Sequence, residues 1–93
     1  MSFIFMELSG ADRAAILAIY YVAKKSSDGI LFSKGRRAAE EVYKAQVGNY
    51  PKRPYVYFGE LAEIMLHNRS LILTGTPQIR YQATDIDPIK WLT

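Results

Sequence analysis

Cysteine is absent from this chain of 93 residues, and histidine and tryptophan occur only once each. Without cysteine the chain can form neither disulfide bonds nor thiolate metal sites, and it has no cysteine nucleophile. The single histidine, His67, falls at the end of a predicted helix, where it complements the helix dipole. These absences argue against a zinc cluster, and we expect no metal site.

Long apolar runs and strong charge imbalance are also missing. No stretch approaches the roughly 18 apolar residues of a membrane helix. Residues 1–8 have no basic region and no A-x-A-like cleavage site, so they do not resemble a signal peptide. The 12 Lys+Arg and 9 Asp+Glu residues give a net charge of +3, which permits a polyanionic partner without requiring one. We expect a cytoplasmic protein that does not enter membranes.

Catalytic constellations are missing as well. Glu60 and Glu63 are three residues apart, but no nucleophile or metal-ligand set accompanies them. The glycines do not have the spacing of a phosphate-binding loop. We therefore expect no enzymatic activity, no cofactor and no small-molecule substrate.

The composition that remains is that of one globular domain. Hydrophobic residues make up 49% of the chain and aromatic residues 13%, which argues against disorder. We divide the domain into an N-terminal arm (1–8), a core (9–83) and a C-terminal tail (84–93). In the arm, the Phe-Ile-Phe run at positions 3–5 either covers the core or forms a dimer contact.

Two helices are predicted in the first half of the core. Ser9 and Asp12 have the spacing of a capping box, and the apolar residues that follow make the first helix central to the core. Ser33 is expected to cap a second helix over residues 34–46. Between these helices, residues 30–32 are predicted to form a short strand that pairs with the hairpin of the wing.

The third predicted helix covers about residues 54–67 and organises the rest of the chain. Its apolar residues Phe58, Leu61, Ile64 and Met65 are three or four apart, as on one buried helix face. Pro54 suits its first turn. Residues 71–74 and 78–83 are then predicted to form two strands of a hairpin, and Trp91 is expected to anchor the tail.

This order of elements predicts an α+β fold, the winged helix-turn-helix, with three helices and a small antiparallel sheet as the wing. A three-helix domain with an unrelated hairpin is the alternative architecture. Several segments carry a resemblance to known proteins: residues 15–19, Glu41-Val42-Tyr43, and Leu61-Ala62-Glu63-Ile64 leading to Leu71-Ile72. Over residues 9–83 the chain resembles winged-helix proteins of archaea and their viruses. It is similar in particular to the C-terminal winged-helix domain of archaeal origin-recognition initiators.

The resemblance implies duplex DNA binding through the third helix and the wing. The chain has no ATPase domain, so initiator activity is not implied. The exit from the third helix also differs: Asn68-Arg69-Ser70-Leu71-Ile72 replaces the Leu-Gly-Leu-Ile of such domains. We expect Asn68 to provide the left-handed residue that glycine usually provides.

The predicted DNA contacts are basic and aromatic residues at helix starts and in the wing. Arg53 is the candidate for guanine readout and Lys52 for a phosphate contact. Tyr55 is expected to be exposed, whereas Tyr57 either packs in the core or faces DNA. The full set of predicted DNA-binding residues is Lys34, Arg36, Arg37, Lys52, Arg53, Tyr55, Tyr57, Gln78 and Arg80.

The sequence supports two functional hypotheses. In the first, the protein is a double-stranded DNA-binding protein, such as a small transcription regulator, with the third helix in the major groove and the 71–83 wing on the backbone. In the second, it is a winged-helix protein–protein interaction module that does not bind DNA. A homodimer formed through the N-terminal arm or the first helix is compatible with either hypothesis.

Overall fold

The computed structural model describes residues 7–93, so the prediction for the Phe-Ile-Phe run at positions 3–5 lies outside the described residues. The fold class is α+β, as predicted. Four helices and one two-stranded antiparallel sheet follow one another along this part of the chain.

Helix α1 (Gly10–Lys25) begins with the predicted capping box. The Asp12 amide donates to Ser9 Oγ at 3.1 Å, and the Ser9 amide donates to Asp12 Oδ2 at 2.9 Å. These two bonds satisfy donors that a helix start otherwise leaves without acceptors. Much of the predicted central face is buried, with Ile16 and Ile19 fully enclosed, but Tyr21 in the same apolar run is 69% exposed.

Helix α2 (Phe32–Val47) begins earlier than predicted, and the prediction that Ser33 caps it is wrong. Leu31 is the N-cap residue, and no side chain caps the helix. The cause is tertiary packing: the Phe32 ring packs edge-on against Phe58, with centroids 4.7 Å apart. Burial of this aromatic ring extends the helix by two residues without a polar cap.

The strand predicted at residues 30–32 is reduced to a single bridge. Ile30 and Tyr81 exchange two backbone hydrogen bonds of 2.8 Å, and Leu31 already begins the α2 cap. The predicted pairing with the hairpin is therefore present, but at one residue.

Helix α3 (Pro54–His67) has the predicted bounds, with Pro54 in its first turn. The prediction that Asn68 is the left-handed residue at its exit is wrong. Arg69 has the positive φ, 63°, whereas Asn68 has φ −87°. The Asn68 side chain instead donates to the Ile64 carbonyl at 2.9 Å. It therefore satisfies an acceptor at the helix end while its backbone stays outside the left-handed region.

A hairpin follows α3. Strand β1 (Leu71–Thr74) pairs antiparallel with β2 (Arg80–Ala83), and Leu73 lies opposite Tyr81. The second strand starts two residues later than predicted, so Gln78 and Ile79 belong to the connecting loop. Gly75 enters that loop with φ 85°, and a side chain there would overlap the Gln78 carbonyl oxygen, which explains the glycine.

The tail closes the core through helix α4 (Ile89–Leu92). Trp91 anchors it as predicted, because its indole Nε1 donates to Ser70 Oγ at 2.9 Å. Leu92 joins the buried cluster that contains Ile16, Ile19 and Phe58. Among the described residues, no helix has the length and apolarity needed to cross a membrane.

Candidate nucleic-acid interface

Three of the predicted DNA-binding residues line one cavity of about 500 Å³. Lys34 and Arg37 reach it from α2, and Arg80 reaches it from β2. Its remaining lining comes from the α1–α2 connection and the α2 start: Ser26, Gly29, Ile30, Leu31 and Ser33. No carboxylate lines this cavity, which we call the cationic cavity.

The α2 start adds to the positive potential of the cationic cavity. Its first turn contains no acidic residue and no side-chain cap. Among residues 7–93, the amides of Phe32 and Ser33 have no hydrogen-bond acceptor, whereas those of Lys34 and Gly35 bond the Leu31 carbonyl at 3.1 and 3.2 Å. Free amides at a helix start attract anions, and here they lie beside three cationic side chains.

The hairpin positions Arg80 at this cavity. The Ile30–Tyr81 bridge fixes β2 against the segment that precedes α2. Arg80, one residue earlier, directs Nη1 toward the Gly29 carbonyl at 3.4 Å. The contact is long, so it orients the guanidinium while leaving its other donors available for a ligand.

Lys52 and Arg53 belong to a different cavity, of about 570 Å³, at the start of α3. Both side chains are exposed. Asp12 and Glu60 also line this cavity, so its charges are mixed. The structure therefore divides five of the six predicted basic residues between two cavities, one purely cationic and one with both signs, and Arg36 lines neither.

Tyr57 connects α3 to α1. Its hydroxyl donates to Asp12 Oδ1 at 2.7 Å. Its ring packs edge-on against the Tyr43 ring, with the ring centroids 5.0 Å apart. Burial, followed by the Asp12 carboxylate, raises the pKa of the Tyr57 hydroxyl well above its ordinary value. The hydroxyl is thus already occupied by a protein acceptor.

Arg36 is held inside the fold. Its Nη1 pairs with Glu40 Oε1 at 2.6 Å, and the side chain is only 16% exposed. The guanidinium lies 4.6 Å from the centroid of the Tyr55 ring, and Nε has no hydrogen-bond partner among the described residues. These contacts leave Arg36 less available to a phosphate than the exposed Lys34 and Arg37.

The outward residues of α3 carry little positive charge. Tyr55 is exposed as predicted, at 63%, and Val56 and, two turns later, Glu63 are also exposed. The helix itself contains no Lys, Arg, Asn or Gln, the side chains that pair best with purines in the major groove. Gln78, another predicted contact, is exposed in the hairpin loop.

A further cavity of about 610 Å³ lies between α1 and the tail. It contains none of the predicted DNA-binding residues. Lys24 and Asp85 in its lining form an exposed ion pair of 3.7 Å. Asp87 also lines this cavity, so its side chains carry a net negative charge.

Sequence reasoning missed two features of the interface. The convergence of Arg80 on the α2 start depends on the Ile30–Tyr81 bridge, and the tie between Tyr57 and Asp12 joins residues 45 positions apart. Two signals for the first feature were available in the sequence: positive charge at the α2 start, where it opposes the helix dipole, and the predicted pairing of residues 30–32 with the hairpin. No protein-family model, no curated protein and no solved structure matches this chain.

Proposed function

We propose that this protein is a non-catalytic, winged-helix protein that binds duplex DNA, with phosphate groups held in the cationic cavity. The observation that carries the proposal is the convergence of Lys34, Arg37 and Arg80 on a cavity without a carboxylate. A backbone phosphate offers the negative charge and the acceptor oxygens that these side chains and the free α2 amides require.

The succession of elements supports the winged-helix assignment. Helices α2 and α3 pack together and lead directly into a hairpin, whose second strand bridges back to Ile30. In such a domain α3 enters the major groove while the hairpin and the α2 start meet the backbone. The cationic cavity combines those two backbone-contacting elements.

The composition of α3 indicates how the binding free energy is divided between phosphate contacts and base contacts. Lys52, Arg53 and Tyr55 are the exposed polar side chains at its start, and Glu60 and Glu63 follow on the same helix. Most of the binding free energy would therefore come from phosphate contacts, which depend strongly on salt. Sequence preference would rest on the few side chains at the start of α3.

The test is a titration of a fluorescent DNA duplex at several salt concentrations. The triple variant Lys34→Ala, Arg37→Ala, Arg80→Ala should bind at least tenfold more weakly. Its plot of log affinity against log salt should be shallower by about 0.9 for each phosphate group that the variant no longer neutralises.

The matched control is the triple variant Lys24→Ala, Lys25→Ala, Lys90→Ala. It removes the same charge from exposed positions outside the cavity and should bind almost as tightly as the unaltered protein. Equal losses in the two triple variants would mean that net charge, and not the cavity, determines binding. A Lys52→Ala, Arg53→Ala variant tests the α3 start separately.

A protein-interaction module is the second candidate, and the hairpin favours it. Ile72, Leu73 and Ile79 are all about half exposed, and residues 71–79 carry no charge. This apolar surface is unlike one that meets a phosphate backbone. Absence of duplex binding at low salt, together with a defined protein complex, would select this candidate over the first.

A further inference from the structure

Strand β1 has one edge paired with β2 and no strand at its other edge among residues 7–93. The hydrogen bonds of Tyr81 show which groups face that open edge. Both its N–H and its C=O bond Ile30, so they point away from β1. In an antiparallel ladder the residue opposite also points its N–H and C=O outward. That residue is Leu73.

The side chains along the edge are apolar. Leu73 is 52% exposed and Ile72 is 47% exposed, whereas Leu71 is buried. The accessible part of the edge therefore begins at Ile72. Strand β1 contains no charged residue and no proline, and its register with β2 is continuous, without a bulge. Charged residues, proline and bulges are the features by which proteins usually protect an edge strand, and β1 has none of them.

We infer that this edge binds the same edge of a second copy of the chain. The two β1 strands run antiparallel about a two-fold axis at Leu73. The Leu73 N–H of each copy donates to the Leu73 C=O of the other, and Ile72 of one copy lies opposite Thr74 of the other. The two hairpins become one four-stranded sheet.

The chemistry of the edge favours a second copy as its occupant. Each chain carries a net charge of +3, yet the strand and the loop that would meet at the axis are uncharged. Like charges therefore do not come together there, and apolar side chains from both copies are removed from water. The three cavities described above do not include β1 residues in their linings. None of them therefore offers a pocket for the side chains of a foreign peptide bound along this edge.

The inference is independent of DNA binding, and the full chain in solution tests it. Amide exchange followed by NMR at increasing protein concentration should show the Leu73 amide becoming at least tenfold more protected. The Ile72 amide, which the β1–β2 ladder already uses, should change much less. A protein that stays monomeric at millimolar concentration would overturn the inference.

Two variants separate this interface from others. Leu73→Lys places two like charges at the axis and should raise the dimer dissociation constant at least tenfold, with Trp91 fluorescence confirming that the monomer is folded. Tyr21→Lys alters an exposed aromatic residue on α1 and should leave dimerisation unchanged. Loss of the dimer in Tyr21→Lys alone would assign dimerisation to the first helix and contradict the proposal.

A mixed sample of labelled and unlabelled protein identifies the occupant directly. Contacts between Leu73 of one copy and Leu73 of the other are expected. Contacts from Leu73 to residues 1–6 of the other copy would show that a different segment occupies the edge, which would also overturn the inference.

Discussion

The Tyr57 hydroxyl donates a hydrogen bond of 2.7 Å to the Asp12 carboxylate, which joins the start of α3 to the start of α1. Asp12 is buried, and its other oxygen accepts from the Ser9 amide. One carboxylate therefore caps the first helix and positions the helix proposed to enter the major groove.

Removal of this hydroxyl should destabilise the protein. In Tyr57→Phe the buried carboxylate loses a donor, and we expect a loss of about 1–3 kcal/mol in the free energy of unfolding, measured by urea denaturation. Tyr43→Phe is the matched control, because the Tyr43 hydroxyl has no hydrogen-bond partner among residues 7–93. It should change stability by less than about 0.5 kcal/mol. Equal effects would contradict a role for the Tyr57–Asp12 bond.

Stability should also fall at high pH. Burial raises the pKa of both Tyr57 and Tyr81 above the ordinary value of 10.0. In the unfolded chain both tyrosines ionise near pH 10, whereas in the folded protein they ionise at higher pH. Their contribution to stability is complete below pH 10 and decreases as the pH rises above it.

Urea denaturation between pH 8 and about pH 11 measures this loss, which should be smaller in Tyr57→Phe. Tyrosinate absorbance of the folded protein provides a second measurement. All seven tyrosines ionising together near pH 10 in the folded protein would contradict the prediction.

The two glycines inside α2 and α3 should respond oppositely to alanine. A side chain at Gly35 would overlap the Phe58 ring, whereas nothing lies within 4 Å of one at Gly59. Gly35→Ala should therefore destabilise the fold by about 1–3 kcal/mol through overpacking. Gly59→Ala should stabilise it by about 0.5–1 kcal/mol through helix propensity. Thermal unfolding followed by circular dichroism would measure both, and stabilisation by Gly35→Ala would contradict the observed α2–α3 contact.

The tail should depend on the buried hydroxyl of Ser70. Its Oγ donates to the Ile86 carbonyl at 2.6 Å and accepts from Trp91 Nε1. In Ser70→Ala the Ile86 carbonyl and the Trp91 indole each lose their hydrogen bond to Ser70, which should lower the free energy of unfolding by about 1–3 kcal/mol. Because Trp91 is the only tryptophan, its fluorescence reports tail docking directly.

Ser27→Ala is a suitable control for this measurement, since Ser27 is exposed and lies in the α1–α2 connection. It should leave the Trp91 emission maximum and the unfolding midpoint unchanged. An unaltered midpoint in Ser70→Ala would show that the tail is held by apolar packing alone.

Local signals in the sequence were sufficient for two of the long helices. Ser9 and Asp12 mark the start of α1 because a capping box needs only residues three apart. Pro54 and the spacing of Phe58 and Leu61 likewise predicted α3, because both signals come from residues close together in the sequence.

Long-range packing determined the features that local sequence patterns could not predict. Phe32 was assigned to a strand by its apolar neighbours, but Phe58 holds it in the first turn of α2. Arg69, and not Asn68, took the left-handed conformation, because the Ser70 that follows must turn inward to meet Ile86 and Trp91. The basic residues were identifiable by type, but the division of five of them between two cavities depends on tertiary contacts that no local pattern encodes.

The position of Leu92 in the core has a consequence for how the protein is made. Its burial partners Ile16 and Ile19 lie about 70 residues earlier in the chain. At a synthesis rate of about 5–20 residues per second, roughly 4–15 s separate their translation. During that interval the apolar face of α1 lacks the cover that Leu92 provides, so the nascent chain would be a substrate for chaperones until α4 emerges from the ribosome.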